Sequence, residues 1–427
     1  MFKTALKILK ILYSRVLQSI AFYPVLISLG FFVLAFIALE LENLELAKQL
    51  KQRIPYVFIE NYETARAILT TLIGGILSLT VFSFTMVMVV LSQASSNFSP
   101  RLLPSLISNK RHQLILGVYI GTLLYCIIVL IVLGANEIES HSVGFSTMLA
   151  AISGVLSIGL FVYFIHSISI SIQIQNIIEN IFRSSSRDLD KECEDLGKSK
   201  VGLKKNGMDN FQTVYSHKSG YYIGFDATLI SDSLADKGLN LEILPYSGQH
   251  LWEGMPFIKI QNSLNDGDLE GLLLCANISS NRNDQNKGID GFIKLMEIAV
   301  KAMSPGINDP GTAIDAINKL APLLRKMMRF PHKTSNSLRE GKLILVRNSI
   351  TARELMQIIV QPIRLYAKKD SSVVLSLMGA LEYIVQDTKI SKENREEVQK
   401  ELEALKMDVE GNIDNTYDRE KIMALFK

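Results

Sequence analysis

Two textures divide the chain. Four long apolar runs fill most of its first part: Val16–Leu39, Ala67–Leu91, Leu114–Ala135 and Gly144–Ile168. None of them contains Asp, Glu, Lys or Arg. A helix needs about 20 apolar residues to cross the hydrocarbon core of a bilayer, so each run is long enough to span. One such run also fits a buried helix of a soluble protein, but four in succession argue against that. None has the short apolar core and small-residue cleavage site of a leader peptide ahead of a soluble protein.

After the fourth run the pattern changes. Ile170, Ile174, Ile177, Ile178 and Ile181 keep helical spacing, and no strong breaker precedes Gly197. This predicts one long helix leaving the fourth span, with Arg183–Asp195 as its solvated end and Gly197–Asn210 as a polar linker. Tyr221–Phe225, Leu239–Leu244 and Met255–Ile260 read as strands, with a helix over Thr228–Lys237 and turns at Ser247-Gly248 and Glu253-Gly254. From Asp268 onward the pattern is mostly helical. Ile289–Met303 is amphipathic, with Phe292, Leu295, Met296, Ala299 and Met303 on one face. It stops at Ser304-Pro305-Gly306, and Asp309 caps a new helix with Pro310 in its first position. Glu393–Lys406 predicts a charged helix, and Ile413–Arg419 a polar tail. The predicted class is an α-helical membrane domain of four transmembrane helices plus a cytoplasmic α+β region that is mostly helical. The predicted boundaries are 1–175 for the four spans, 176–210 for the helical extension and linker, 211–265 for a small β-rich domain and 266–427 for a helical cytoplasmic domain.

The spans differ in what they carry. In span two Thr71, Ser78, Thr85 and Ser92 recur every seven residues. Seven residues are nearly two helical turns, so these hydroxyls share one side. Such a stripe either packs helices closely or lines a pore in an oligomer, where hydroxyls replace part of the hydration of a passing ion or small solute. Ser95, Ser96, Asn97, Ser99 and Arg101 follow it and form the cytoplasmic mouth on the pore reading. Gly117-x-x-x-Gly121 in span three and Ala150, Gly154 and Ser157 in span four are small-residue contact faces. His166, at the end of span four, is a candidate pH-sensitive group or a plain interfacial histidine. Proton-coupled pumps and voltage sensors rely on ionisable residues inside their spans, so their absence argues against both.

Charge orients the chain. Lys3, Lys7, Lys10 and Arg15 precede span one, Arg101, Lys110 and Arg111 lie between spans two and three, and Arg183 and Arg187 follow span four. The loop between spans three and four holds Glu137 and Glu139 and no Lys or Arg. The positive-inside bias places both termini in the cytoplasm of a bacterial inner membrane. The part after Asn180 holds 34 basic and 34 acidic residues, so it offers no broad basic surface and nucleic-acid binding is not expected. Three Cys without a CxxC make neither a disulfide framework nor a structural zinc site. HExxH, Walker, GxGxxG and GxSxG motifs are all missing. No catalytic residue, cofactor or metal is expected. In the soluble part Ser304, Asn308, Asp309 and Thr312 form a candidate ligand or contact loop, with helix capping as its simplest role.

Several phrases together carry a resemblance. They are Thr64-Ala65-Arg66, the run Leu91-Ser92-Gln93-Ala94-Ser95-Ser96-Asn97-Phe98-Ser99-Pro100-Arg101-Leu102-Leu103, Tyr163-Phe164-Ile165-His166, and the run Ala302-Met303-Ser304-Pro305-Gly306-Ile307-Asn308-Asp309-Pro310-Gly311-Thr312-Ala313. With them the chain resembles the bacterial predicted membrane proteins grouped as domain of unknown function 2254, from about Leu6 to Lys427. Where that family usually has a second His after His166, this chain has Ser167, which counts against a paired-His site. Separately, the turns of Gly248–Pro256 look like those of lipoyl-like barrels, but no carrier Lys accompanies them. The β region is therefore expected to serve assembly or ligand sensing. The resemblance implies location and architecture and no established activity. The leading expectation is a homo-oligomeric pore, not an enzyme, gated by its cytoplasmic domain. The rival is a structural or sensory membrane protein whose cytoplasmic domain binds a partner or ligand. Membrane lipid is a partner on either view.

Overall fold

The computed structural model describes residues 19, 21–42, 53, 58–59, 61–97, 110–135, 144–198, 212–261, 264–280, 289–338 and 343–426. The chain divides into two compact units, with the second beginning its main run at Ile174.

The first unit is built from α1 (Phe22–Leu41), α2 (Tyr62–Asn97), α3 (Lys110–Ala135) and α4 (Gly144–Ser171). All four are long and apolar enough to cross a membrane. At 36 residues α2 is much the longest. With a rise of about 1.5 Å per residue it outruns a hydrocarbon core of about 30 Å. The helix runs on through Ser95, Ser96 and Asn97, so these form its last turn and not a loop.

Glycine sets the spacing between α1 and α3. A Cβ on Gly121 would meet Phe31 Cδ2 at 2.6 Å, and one on Gly117 would meet Ile27 Cδ1 at 2.9 Å. The small-residue face of span three is therefore the contact surface for α1. Gly154 does the same for α2, where a Cβ would lie 2.5 Å from Leu72. Two apolar clusters result. One gathers Ala35, Leu69, Tyr125, Cys126, Val129 and Ala150. The other gathers Ile76, Val90, Ile115, Tyr119, Phe164 and Ile168.

A carboxylate closes one end of this unit. Glu42, just past α1, accepts from Phe145 N at 2.7 Å, Ser146 N at 3.0 Å and Ser146 Oγ at 3.1 Å. These amides open α4 and have no intrahelical partner, so a remote side chain does the work of an N-cap. Tyr125 adds a hydrogen bond to Ser146 O at 3.0 Å.

The helix expected to run unbroken from span four does not. α4 ends at Ser171, and α5 (Ile174–Lys198) starts after Ile172 and Gln173. At the break Ser171 Oγ donates to Ser167 O at 2.7 Å, and Gln173 N turns back to Ile170 O at 3.3 Å, a tighter turn than the α-helical ladder.

The second unit joins α5 to two sheets and a helical layer. Strands β1 (Gln212–Tyr215), β2 (Gly220–Phe225), β3 (Leu239–Ile243), β4 (His250–Leu251) and β5 (Pro256–Ile260) come first. Between β2 and β3, where one helix was expected, stand a 3-10 turn (Ala227–Leu229) and the short α6 (Asp232–Ala235). Gly248 and Gly254 sit at φ of 92° and 80°, a region open to glycine, so the two expected turns close as they do. α7 (Asp266–Leu274) and β6 (Ala276–Ser279) follow, then α8 (Asp290–Ala302), α9 (Pro310–Met327), β7 (Lys333–Leu338) and β8 (Leu343–Asn348).

The larger sheet has the order β1-β5-β3-β8-β7, and the smaller one β4-β2-β6. β8 lies parallel to β3, with Leu343 beside Leu239 and Leu345 beside Leu241. The β structure thus draws on 333–348, well beyond the expected limit at 265. Leu239, Leu241, Ile243, Phe257, Ile258, Leu343 and Leu345 share one core.

The remaining helices are α10 (Ala352–Leu355), a π turn (Met356–Val360), α11 (Gln361–Ala367), α12 (Ser371–Val385), α13 (Lys392–Asn412) and α14 (Thr416–Met423). Pro362 lacks the N–H that would bond four residues back, and the ladder widens to a π turn just before it. α14 occupies what reads in sequence as a polar tail. Asn415 caps it by accepting from Tyr417 N and Asp418 N, and Ile422 anchors it in the core.

Candidate functional site

The hydroxyl stripe of α2 lies on the outside of the first unit. Thr71, Ser78, Thr85 and Ser92 are all exposed. The buried line of the same helix is Leu69, Ile76, Ser83 and Val90. The two lines are offset by two residues, about 200° around the helix axis, and so lie on opposite sides. Packing against the chain's own helices does not use the stripe. Thr71 Oγ1 donates to Ala67 O at 2.8 Å, Ser78 Oγ to Gly74 O at 2.9 Å, and Thr85 Oγ1 to Val81 O at 2.9 Å. These bonds occupy the hydroxyl donors and leave each oxygen able to accept. Val81, Phe82 and Val89 are exposed on the same side, so the stripe is set in an apolar frame.

Of the expected mouth, Ser95, Ser96 and Asn97 end α2, while Ser99 and Arg101 lie outside the described residues. His166 is exposed on α4. The histidine that joins two helices is His112 on α3. Its Nε2 lies 3.3 Å from Ser167 Oγ, and its ring meets Phe164 edge-on at 5.4 Å. Sequence pattern gave no hint of this pair, because His112 stands at the charged start of an apolar run, next to Arg111.

In the second unit Ser304, Asn308, Asp309 and Thr312 come together as a helix cap. Asp309 accepts from Thr312 N at 3.1 Å and from Thr312 Oγ1 at 2.6 Å, so both carboxylate oxygens are engaged. Ser304 Oγ donates to Lys301 O at 2.7 Å, and its carbonyl receives the Ile307 and Asn308 amides. Asn308 takes a left-handed φ of 49°, which carries the chain from α8 into α9. The arrangement makes a tight connection between two helices. Among the described residues no group of three or more His, Cys, Asp and Glu is placed to hold a metal ion.

Charge pairs tie the helical layer together. Asp387 is buried and receives Arg325 Nε at 2.7 Å, Arg329 Nη2 at 2.6 Å and Lys389 N at 2.9 Å. Burial opposes its ionisation, but the two guanidinium groups and the amide outweigh burial and hold its carboxyl well below the usual range. Glu397 takes a bidentate Arg353 at 3.1 Å and Lys400 at 2.7 Å, which hold its carboxyl down at about 2. α5 is fixed to the same layer. Glu179 bridges Lys319 at 2.7 Å and Arg183 at 2.6 Å, contacts that lower its pKa. Lys326 pairs with Asp190. Gly291 lets Ser185 approach so closely that a Cβ there would lie 1.8 Å from its Oγ.

Comparison with known proteins agrees with this architecture. Uncharacterized proteins from Mycobacterium bovis and from two strains of Mycobacterium tuberculosis are each 23% identical over 340 residues, covering 75% of this chain and 62% of their own length. The chain therefore spans less than two thirds of these curated relatives. No solved structure matches it. A family model described as a predicted membrane protein, domain of unknown function 2254, matches residues 18–383. Four apolar helices of spanning length and a family match over most of the chain lead to one assignment: the protein belongs to the predicted membrane protein family of domain of unknown function 2254.

Proposed function

We propose that the protein is a passive pore of the bacterial inner membrane, formed where the α2 helices of several copies meet. The observation that carries this reading is the outward stripe Thr71, Ser78, Thr85 and Ser92 on an uncharged span, opposite the side that packs into the bundle. The hydroxyl oxygens of Thr71, Ser78 and Thr85, their donors occupied, present acceptors to the passing species, which suits a cation or water better than an anion. Both termini lie in the cytoplasm on this reading, and the second unit gates the pore. The gating element is α5, held to α8 and α9 by Gly291, Lys319 and Lys326 and following the break at Ile172-Gln173.

The test is ion flux through the purified protein in liposomes. Wild type conducts, and Thr85→Leu abolishes conduction while leaving the oligomer intact. Undiminished flux through Thr85→Leu removes α2 as the lining helix. The rival reading, a non-transporting sensor or scaffold, draws on the same back-bonding. A hydroxyl that satisfies its donor on its own helix is tolerated in lipid. That reading predicts no flux for any ion, voltage or pH.

A further inference from the structure

Two turns of the second unit bring exposed apolar side chains together. Residues 216–219 join β1 to β2, and residues 252–255 join β4 to β5. The turns hold each other. Ser216 N donates to Met255 O at 2.8 Å, Gly254 N to Ser216 O at 2.9 Å, and Glu253 N to Ser219 Oγ at 2.9 Å. Beside them Tyr215 pairs with Pro256 across β1 and β5. Tyr215, Trp252, Met255 and Pro256 are therefore neighbours, and all four are exposed. Trp252 is the only tryptophan of the chain and is 64% exposed. Its amide donates to Met255 Sδ at 3.3 Å, and its ring lies 4.4 Å from that of His250, which meets Tyr221 edge-on at 4.9 Å. An indole left in water forgoes the burial that a side chain of its size gains, so one presented this rigidly marks a contact surface.

We propose that this patch docks on the lipid–water interface of the bilayer that the chain's own helices span. Tryptophan and tyrosine settle at that interface because their rings are apolar and their N–H or O–H stays wet. The exposed residues at the rim are His217, Lys218, Ser219 and Glu253, so one Lys and one Glu cancel in charge. The attraction is therefore apolar, and zwitterionic lipid suffices. A bilayer is also the apolar phase to which this unit is tied, since only Ile172 and Gln173 separate α4 from α5. Four apolar residues are few beside the roughly 20–30 that a stable protein interface uses on each side. A tethered surface meets its partner at high effective concentration and needs fewer, which favours the bilayer over a second copy. The contact uses no residue of the α2 stripe, so it stands apart from the pore.

Trp252 is its own reporter. The full-length protein is placed in phosphatidylcholine nanodiscs, with or without bromine on the upper part of the acyl chains, and tryptophan fluorescence is excited where tyrosine does not absorb. The expected result is several-fold quenching by the brominated lipid and little by aqueous acrylamide, both unchanged in high salt. Met255→Asp, at an exposed position, should reverse this by lifting the turn into water. The control is Tyr417→Trp in a Trp252→Phe background, because Tyr417 is exposed on α14. It should respond to acrylamide and not to bromine. Quenching of Trp252 by acrylamide alone places the patch in water and overturns the proposal. Shielding from both quenchers means that protein covers it, and also overturns it. So does equal bromine quenching at the two tryptophans, quenching that salt removes, or a Met255→Asp variant that behaves like wild type.

Discussion

Asp387 and Glu397 show how far single residues govern the second unit. In an unfolded chain an Asp titrates near about 3.9 and a Glu near about 4.3. Both groups are depressed below this in the fold, Glu397 to about 2. The sign follows from linkage. Below about pH 5 the unfolded chain binds these protons first, so the stability they contribute is complete above that point and is lost as pH falls through 4 toward 2. Thermal melting across that range is the measurement. Asp387→Asn lowers the melting point at neutral pH, because Arg325 and Arg329 lose their shared anion, and it flattens the decline below pH 5. A variant that melts like wild type at pH 7 removes the pair from the stability of α9 and α12. Neither partnership is visible in sequence, since Arg325 and Asp387 stand 62 positions apart. The cap at Asp309 is visible, because it is completed within three residues by Thr312. Range along the chain separates the two cases.

The same distinction governs whole elements. Apolar runs of more than twenty residues announce α1 to α4, because a bilayer imposes length and composition on any spanning helix. The gap between α4 and α5 is not announced. Ile170, Ile174 and Ile177 keep helical spacing across it, and the break shows in the backbone, where Gln173 N turns back to Ile170 O. The start of α4 depends on a group still further away. Glu42 reaches over 103 and 104 positions to the Phe145 and Ser146 amides. Removing an N-cap side chain costs about 0.5–2 kcal/mol. Glu42→Ala should therefore destabilise the first unit by about 1 kcal/mol, and Glu42→Gln by less, since an amide oxygen still accepts. Unfolding in mixed detergent micelles, followed by tyrosine fluorescence, reads the difference. If Glu42→Ala unfolds like wild type, the clamp contributes nothing and α4 is capped by water.

At the scale of the molecule, the β structure shows why chain order misleads. Leu239–Ile243 and Leu343–Asn348 are neighbours in one sheet, with about a hundred residues and two long helices between them. A parallel pair needs a long crossover, so nothing near β3 in sequence points to β8. The side of α2 that faces outward is likewise a property of the folded unit. Seven-residue spacing makes a stripe legible, but Leu69, Ile76, Ser83 and Val90 have the same spacing, and only packing decides which line is buried. This leads to the sharpest test of assembly. Each seven-residue step falls about 20° short of two full turns, so a stripe with this period suits helices that wind around one another with a left-handed twist. Copies joined along the stripe bring Ser78 near Ser78 and Thr85 near Thr85, while the Ile76 side remains inside each chain. In a background without Cys126, Cys193 and Cys275, the three native thiols, Ser78→Cys and Thr85→Cys should form disulfide-linked dimers in membranes under mild oxidation, and Ile76→Cys should not. Cross-linking at Ser78 and Thr85 together, two turns apart, requires a shared seam along the helix. A monomer at every position leaves the stripe facing lipid, and the pore has no wall.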